Sequence, residues 1–175
     1  MIEDVFLHPG EFYFADGPAR IRTILGSCVA FTMKDPVSGR AAMCHCLLPE
    51  MPTGKTPQDM QLDKFRYVDT SLVAMLQELQ RCGVPAGRLD IKLFGGANVL
   101  TKISKERAVG SMNWKQAEKC MEKFSLALRA RDVGGEAGRR ILFETVSGEV
   151  FVKLLRTASQ AETAIRKVVG YGEKA

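Results

Sequence analysis

Two short apolar runs, Val29–Met33 and Ala41–Leu48, flank a six-residue stretch, Asp35-Pro36-Val37-Ser38-Gly39-Arg40. Proline presets φ and glycine accepts positive φ, so this stretch is a turn. Each run is too short for a stable helix, and the two pair most simply as a β-hairpin. With Val37 and Ser38 at its tip, His45 falls opposite Ala30. Cys28, two residues before Ala30, shares the face of His45, because side chains alternate along a strand. A slip of one residue would separate them. A thiol and an imidazole are therefore diagonal neighbours, and the thiol sits on a Gly26-Ser27-Cys28 turn.

The same parity sorts Cys44-His45-Cys46. Cys44 and Cys46 face with Ala42 and Leu48, whereas His45 faces with Met43 and Leu47. The three cannot easily share one ion. The chain has five cysteines, an odd number, with no CxxC pair. That fits neither a disulfide framework nor a structural zinc site, and no metal site is expected.

A nucleophilic cysteine needs a tight turn with small neighbours and free backbone N–H groups for the oxyanion. A histidine beside it moves the proton. Cys28, His45, Gly26 and Ser27 supply these features, the last two lining the place where substrate would bind. Thr23, Ser27 and Asp35 are the nearby groups that could orient the imidazole. The plainer alternatives are a buried apolar cysteine and a core histidine with its hydrogen bonds satisfied.

The remaining pattern continues in short elements. Glu11 to Phe14 is a strand ended by Asp16-Gly17-Pro18, and Ile21 to Leu25 is a second. Residues 49 to 61, with three prolines and a glycine, form a polar loop beside the site that could act as a flap. A helix is expected from Leu62 to Cys82 on the stripe Phe65, Val68, Leu72, Met75, Leu76 and Leu79. Leu89 to Phe94 is a strand, and residues 98 to 112 give no clear signal. A second helix, Trp114 to Arg129, is expected with Ser111 or Asn113 as its cap. Arg140 to Thr145 and Glu149 to Leu155 form a hairpin around Ser147-Gly148, and a short helix near Glu162 to Val169 closes the chain. The glycine clusters at 95–96 and 134–135 match no phosphate loop and suit close backbone packing. No linker breaks the chain. A single domain over 1–175 is expected, with a core of about 10–155 and a tail of 157–175. The fold class is α/β, with a mixed, largely antiparallel sheet and helices packed on it.

The chain is 46% hydrophobic and carries a net charge of +5, with basic residues scattered rather than striped. This gives no support for nucleic-acid binding. No apolar run approaches a membrane span, and the first residues lack the order of a signal peptide, so a cytoplasmic protein without membrane insertion is expected.

Several motifs together resemble the CheD family of bacterial chemoreceptor glutamine deamidases. They are TILGSCVAF followed by DP, HCLLP, KLFGGANVL, VGSMN before a helix, and DVGGEAGRRILFETVSGEVFVKLL. They run in the family's order over roughly Gly10 to Leu155. The resemblance implies a three-layer α/β/α sandwich and a Cys-His-Thr triad made of Cys28, His45 and Thr23, with Ser27 as the alternative to Thr23. In some members the threonine stands one residue earlier, where this chain has Arg22. It implies thioester chemistry on receptor glutamines without a cofactor. The implied partners are methyl-accepting chemoreceptors and a CheC-type phosphatase. A thiol peptidase, a non-catalytic adaptor and a redox or metal protein using Cys44 and Cys46 are the competing readings.

Overall fold

The structure, a computed structural model, describes residues 1–99, 108–155 and 165–168. Among the described residues, ten strands form two five-stranded sheets. The first six are β1 (Glu3–Phe6), β2 (Phe12–Ala15), β3 (Ala19–Leu25), β4 (Val29–Lys34), β5 (Ala41–Cys44) and β6 (Asp90–Gly95). The others are β7 (Leu128–Val133), β8 (Gly138–Glu144), β9 (Val150–Leu155) and β10 (Ile165–Val168). The outer sheet has the order β1-β3-β8-β9-β10, and the central sheet has the order β2-β5-β4-β6-β7. Only β1–β3 and β6–β7 are parallel, so the sheets are mixed and largely antiparallel, as expected.

Alternation along the strands builds two cores. On one face of the central sheet, Val29, Phe31, Met33, Ala42, Cys44, Cys46, Ile91 and Leu93 pack against helices α2 (Val68–Arg81) and α3 (Val109–Lys123). On the other face, Ala30, Ala41, Met43 and Phe94 meet Ile21, Leu25, Ile141, Phe143, Val150 and Val152 of the outer sheet. The layers among the described residues are therefore helices, sheet and sheet. The α/β/α order implied by the resemblance gains no second helical layer from them. The far side of the outer sheet instead carries exposed Arg20, Arg22 and Ile24, alternating with buried Ile21, Thr23 and Leu25.

The hairpin keeps the expected register: Thr32 pairs with Met43 and, beyond the regular part of β5, Val29 bridges Cys46. That register sets His45 opposite Ala30. The turn is closed by Asp35, whose carboxylate accepts hydrogen bonds from the Val37 and Ser38 amides and from both arms of Arg88. These bonds hold the buried Asp35 carboxyl far below the usual carboxylate range.

Elsewhere the boundaries differ from expectation, each for a local reason. The loop at 49–61 contains a short helix, α1 (Pro57–Leu62), started by Thr56, whose hydroxyl accepts from the Asp59 amide at 3.1 Å. Helix α2 begins at Val68 rather than Leu62, because Arg66 and Tyr67 are bound to Leu47 and Leu48 instead. Helix α3 begins at Val109, with Ser111 and Asn113 inside it as buried residues rather than caps. It stops at Lys123, where Ser125 takes a left-handed conformation (φ 52°), a common helix ending. Leu128–Val133 is then a strand, not the end of a helix. Ile165–Val168 is also a strand, paired with β9, where a helix was expected. The remainder of that expected helix and most of the 157–175 tail lie outside the described residues, as does most of the 98–112 stretch. Strand β1 was not expected; its sequence, Glu-Asp-Val-Phe, is too polar to stand out and occupies an edge.

Candidate functional site

The Gly26-Ser27-Cys28 turn is not part of a simple hairpin. It joins β3 of the outer sheet to β4 of the central sheet, so the chain changes layers there. A second crossing lies beside it: the Leu7 amide bonds the Arg22 carbonyl in the outer sheet, while Gly10 and Glu11 bond the backbone of His45 in the central sheet. A third crossing, at 134–137, is clamped by Arg139, which pairs with Asp132 at 3.0 Å and donates to the Gly134 and Ala137 carbonyls. The site is assembled where the two sheets are stitched together.

Thr23 and His45 come from opposite sheets and meet in the middle. The Thr23 hydroxyl lies 2.8 Å from His45 Nδ1 and 2.8 Å from the Leu7 carbonyl. A hydroxyl has one proton to give. With that proton on the Leu7 carbonyl, which accepts only, the Thr23 oxygen must accept from Nδ1–H. Nε2 is then the unprotonated nitrogen of the neutral ring. Nε2 is buried and has no hydrogen-bond partner among the described residues. A buried, unpaired imidazole nitrogen is costly in a purely structural role. Arg22, one residue earlier, points outward and pairs with Asp4 at 3.4 Å. Asp35 serves the hairpin turn, and of these candidates Thr23 is the one whose hydroxyl is bonded to the ring.

Burial sets the electrostatics. Thr23 is 0% exposed and His45 3%. Loss of hydration pushes the His45 pKa down to about 4, an effect only partly countered by the Leu7 carbonyl and the Glu11 charge, while His8 pushes it further down. Burial likewise raises the Cys28 thiol, opposed by its own backbone N–H. Burial thus favours the uncharged form of both groups. Cys28 is half-buried and packs against the between-sheet core, on the side where His45 lies. Cys44 and Cys46 lie on the opposite face, 3.5 Å apart and fully buried against the helices. Their separation from the imidazole matches the expected strand parity.

The turn is held by its backbone. The Gly26 carbonyl accepts from the Ala97 amide, and the Cys28 carbonyl accepts from the Gly96 amide. This contact explains the glycines: a Cβ on Gly95 would stand 2.2 Å from the Cys28 carbonyl oxygen, and one on Gly96 would stand 2.8 Å from the Gly110 carbonyl oxygen. Two contributors escaped notice in the sequence. Leu7 acts through its carbonyl, which no side-chain pattern reveals. Asn113 had the composition of a helix cap, yet it reaches the Ser27 carbonyl from inside α3. The VGSMN motif was the available signal for it.

Comparison with known proteins adds an independent line. Residues 47–154 match the family model described as "CheD chemotactic sensory transduction". The chain is 43% identical over 151 residues to "Probable chemoreceptor glutamine deamidase CheD 2" of Geobacter sulfurreducens, covering 86% of this chain and 89% of that protein. It is 39% identical to "Probable chemoreceptor glutamine deamidase CheD 1" of Chromobacterium violaceum, covering 86% and 77% respectively. It is 37% identical to "Probable chemoreceptor glutamine deamidase CheD" of Maridesulfovibrio salexigens, covering 88% and 93%. With a match of this length in the family model and in full-length relatives, the chain belongs to the CheD family.

Proposed function

We propose that this chain is a protein-glutamine deamidase that converts glutamine side chains of methyl-accepting chemoreceptors to glutamate. The observation that carries the chemistry is the buried Thr23–His45 hydrogen bond, which leaves Nε2 unprotonated and free to act as a base, on the face of the central sheet that Cys28 shares by strand register. The names of the relatives supply the substrate class.

In this scheme Cys28 Sγ attacks the glutamine Cδ as His45 Nε2 takes the thiol proton. The carbonyl electron pair moves to oxygen, and the Cys28 N–H stabilises the oxyanion. Nε2–H then protonates the departing nitrogen, and ammonia leaves a thioester. Water, deprotonated by Nε2, attacks the thioester and releases glutamate and the thiol. Thr23 and the Leu7 carbonyl keep Nδ1–H in place throughout, so a single tautomer serves both half-reactions. Every proton is carried by His45 or water, and no cofactor is called on. Gly26 and Ser27 form the floor over which the carboxamide enters, next to exposed Val99.

No helix among the described residues is long and apolar enough to cross a membrane. The reaction is placed in the cytoplasm, on the cytoplasmic part of the receptors, with a CheC-type phosphatase as a regulatory partner. The test is incubation with a receptor fragment. Deamidation gives ammonia and a mass gain of about one dalton per glutamine, with no new chain termini. Cleaved fragments would instead identify a peptidase, and the absence of any covalent change would identify a binding module.

A further inference from the structure

Three consecutive carbonyls in the nucleophile turn are each held by a donor. Gly26 and Cys28 are held by backbone amides of the 96–97 segment. Ser27 is held by a side chain, the Nδ2 of Asn113, at 2.9 Å. The same Nδ2 donates its second proton to the Leu47 carbonyl at 2.8 Å, two residues beyond His45. One amide group therefore ties the segment carrying the thiol to the segment carrying the imidazole. The orientation of the side chain is fixed by chemistry: with two carbonyl oxygens on one side, only the NH2 end can face them. Asn113 Oδ1 is consequently left on the other side, buried and without a partner among the described residues. Asn113 itself is 0% exposed, and its helix packs Ala117, Cys120 and Met121 into the same apolar core. A leucine, with the same branching of its side-chain heavy atoms, would bring no orphaned oxygen into that core.

We propose that Asn113 is a positioning residue for the Cys28–His45 pair, a role that rests on the deamidase reading above. It acts through the Ser27–Cys28 peptide. In a trans peptide the C=O and the following N–H point in opposite directions, and the chain contains no cis bond among the described residues. Drawing the Ser27 carbonyl down onto Asn113 turns the Cys28 N–H up toward its thiol, where it opposes the effect of burial and can meet the oxyanion. Holding the Leu47 carbonyl at the same time fixes the far side of the pair. The other two clamps are backbone N–H groups that any substitution but proline leaves in place, so Asn113 is the one clamp of the three that a side-chain change releases.

The experiment compares Asn113→Leu and Asn113→Ala with Ser111→Ala, a control at a buried position of the same helix that bonds Asn98 instead. Three quantities are measured: kcat and KM for ammonia release from a receptor fragment, the pH dependence of Cys28 alkylation by iodoacetamide, and Tm. The expected result for Asn113→Leu is a fall in kcat of about 100-fold with KM within about threefold. The midpoint of the alkylation profile rises by about one pH unit, and Tm stays within a few degrees. The Ser111 control keeps wild-type kcat and alkylation. A folded Asn113→Leu or Asn113→Ala protein with kcat and alkylation midpoint unchanged overturns the proposal, as does a kcat loss that only follows the unfolded fraction. Should the wild type release no ammonia, the deamidase reading fails by itself. The alkylation profiles then still decide whether Asn113 positions the thiol.

Discussion

The two faces of the central sheet carry the same kinds of residue and use them in opposite ways. On the helix side, Cys44 and Cys46 are fully buried among aliphatic side chains, and burial raises the Cys46 thiol well above its ordinary range. On the other side, Cys28 is only half-buried, and the His45 imidazole keeps one nitrogen without a partner among the described residues. One strand feeds both faces, with Met43 and His45 on one side and Cys44 and Cys46 on the other. The packing thiols and the face proposed for chemistry are thus separated by a single step along the chain, and cysteine density alone does not tell the two faces apart.

The sharpest way to break this comparison is to remove one thiol from each face. Cys28→Ala is expected to lower ammonia release by at least about 10⁴-fold with the fold intact, because the step cannot proceed without its nucleophile. Retention of the activity by that variant would end the thiol mechanism.

The next effect in size belongs to His45. Its folded pKa of about 4 lies below the ordinary 6.5 of an unfolded chain, so the unfolded state binds the proton more readily. The associated stability is fully present above about pH 6.5, declines as pH falls, and is gone below about pH 4. A 2.5-unit gap corresponds to about 3 kcal/mol, read as the difference between wild type and His45→Gln in urea titrations at pH 7 and pH 4. His45→Gln, which cannot titrate, flattens that part of the profile. A wild-type profile already flat between those values would mean that the ring is solvated.

Thr23→Val keeps the shape and removes the hydroxyl that fixes the tautomer. A loss in kcat of about 10- to 100-fold is expected, with recovery to within about fivefold in Thr23→Ser, measured by steady-state ammonia release. Equal activity in both variants would leave the ring held by Leu7 alone. The smallest effect is on the packing face. Cys46→Ala is expected to cost about 1–2 kcal/mol in denaturant unfolding while leaving kcat within about threefold, since only a core atom is lost.

How much of this was legible in the sequence depended on whether the signal was local. The β4–β5 hairpin was, because Asp35-Pro36 and Gly39 punctuate it, and its register and parity follow from the alternation. The β8–β9 hairpin was legible for the same reason. Leu128–Val133 was not, although Arg129 and Arg131 alternate with Ala130 and Asp132, since Leu128 also completes a helical stripe begun at Ala117. For the site, the turn, the histidine and Thr23 as a nearby hydroxyl could be picked out, but the resemblance, whose threonine stands in some members where this chain has Arg22, did not settle which of positions 22 and 23 faces the ring. What decides between them is that β3 and β5 lie in different sheets facing each other. That is a tertiary fact, which no window of residues around Cys28 contains. Leu7 and Asn113 belong to the same class, since each reaches the site from an element remote in sequence.

The glycines around the Gly26–Cys28 turn carry a consequence for protein engineering. A methyl group at Gly95, Gly96 or Gly110 would strike a backbone oxygen, at 2.2, 2.8 and 2.4 Å respectively. One at Gly26 would meet nothing nearer than Val99 at 3.9 Å. Directed evolution of substrate choice therefore has a narrow admissible library. Positions 26 and 99 can be randomised together, while the other three glycines behave as fixed letters whose replacement removes clones before selectivity is ever sampled.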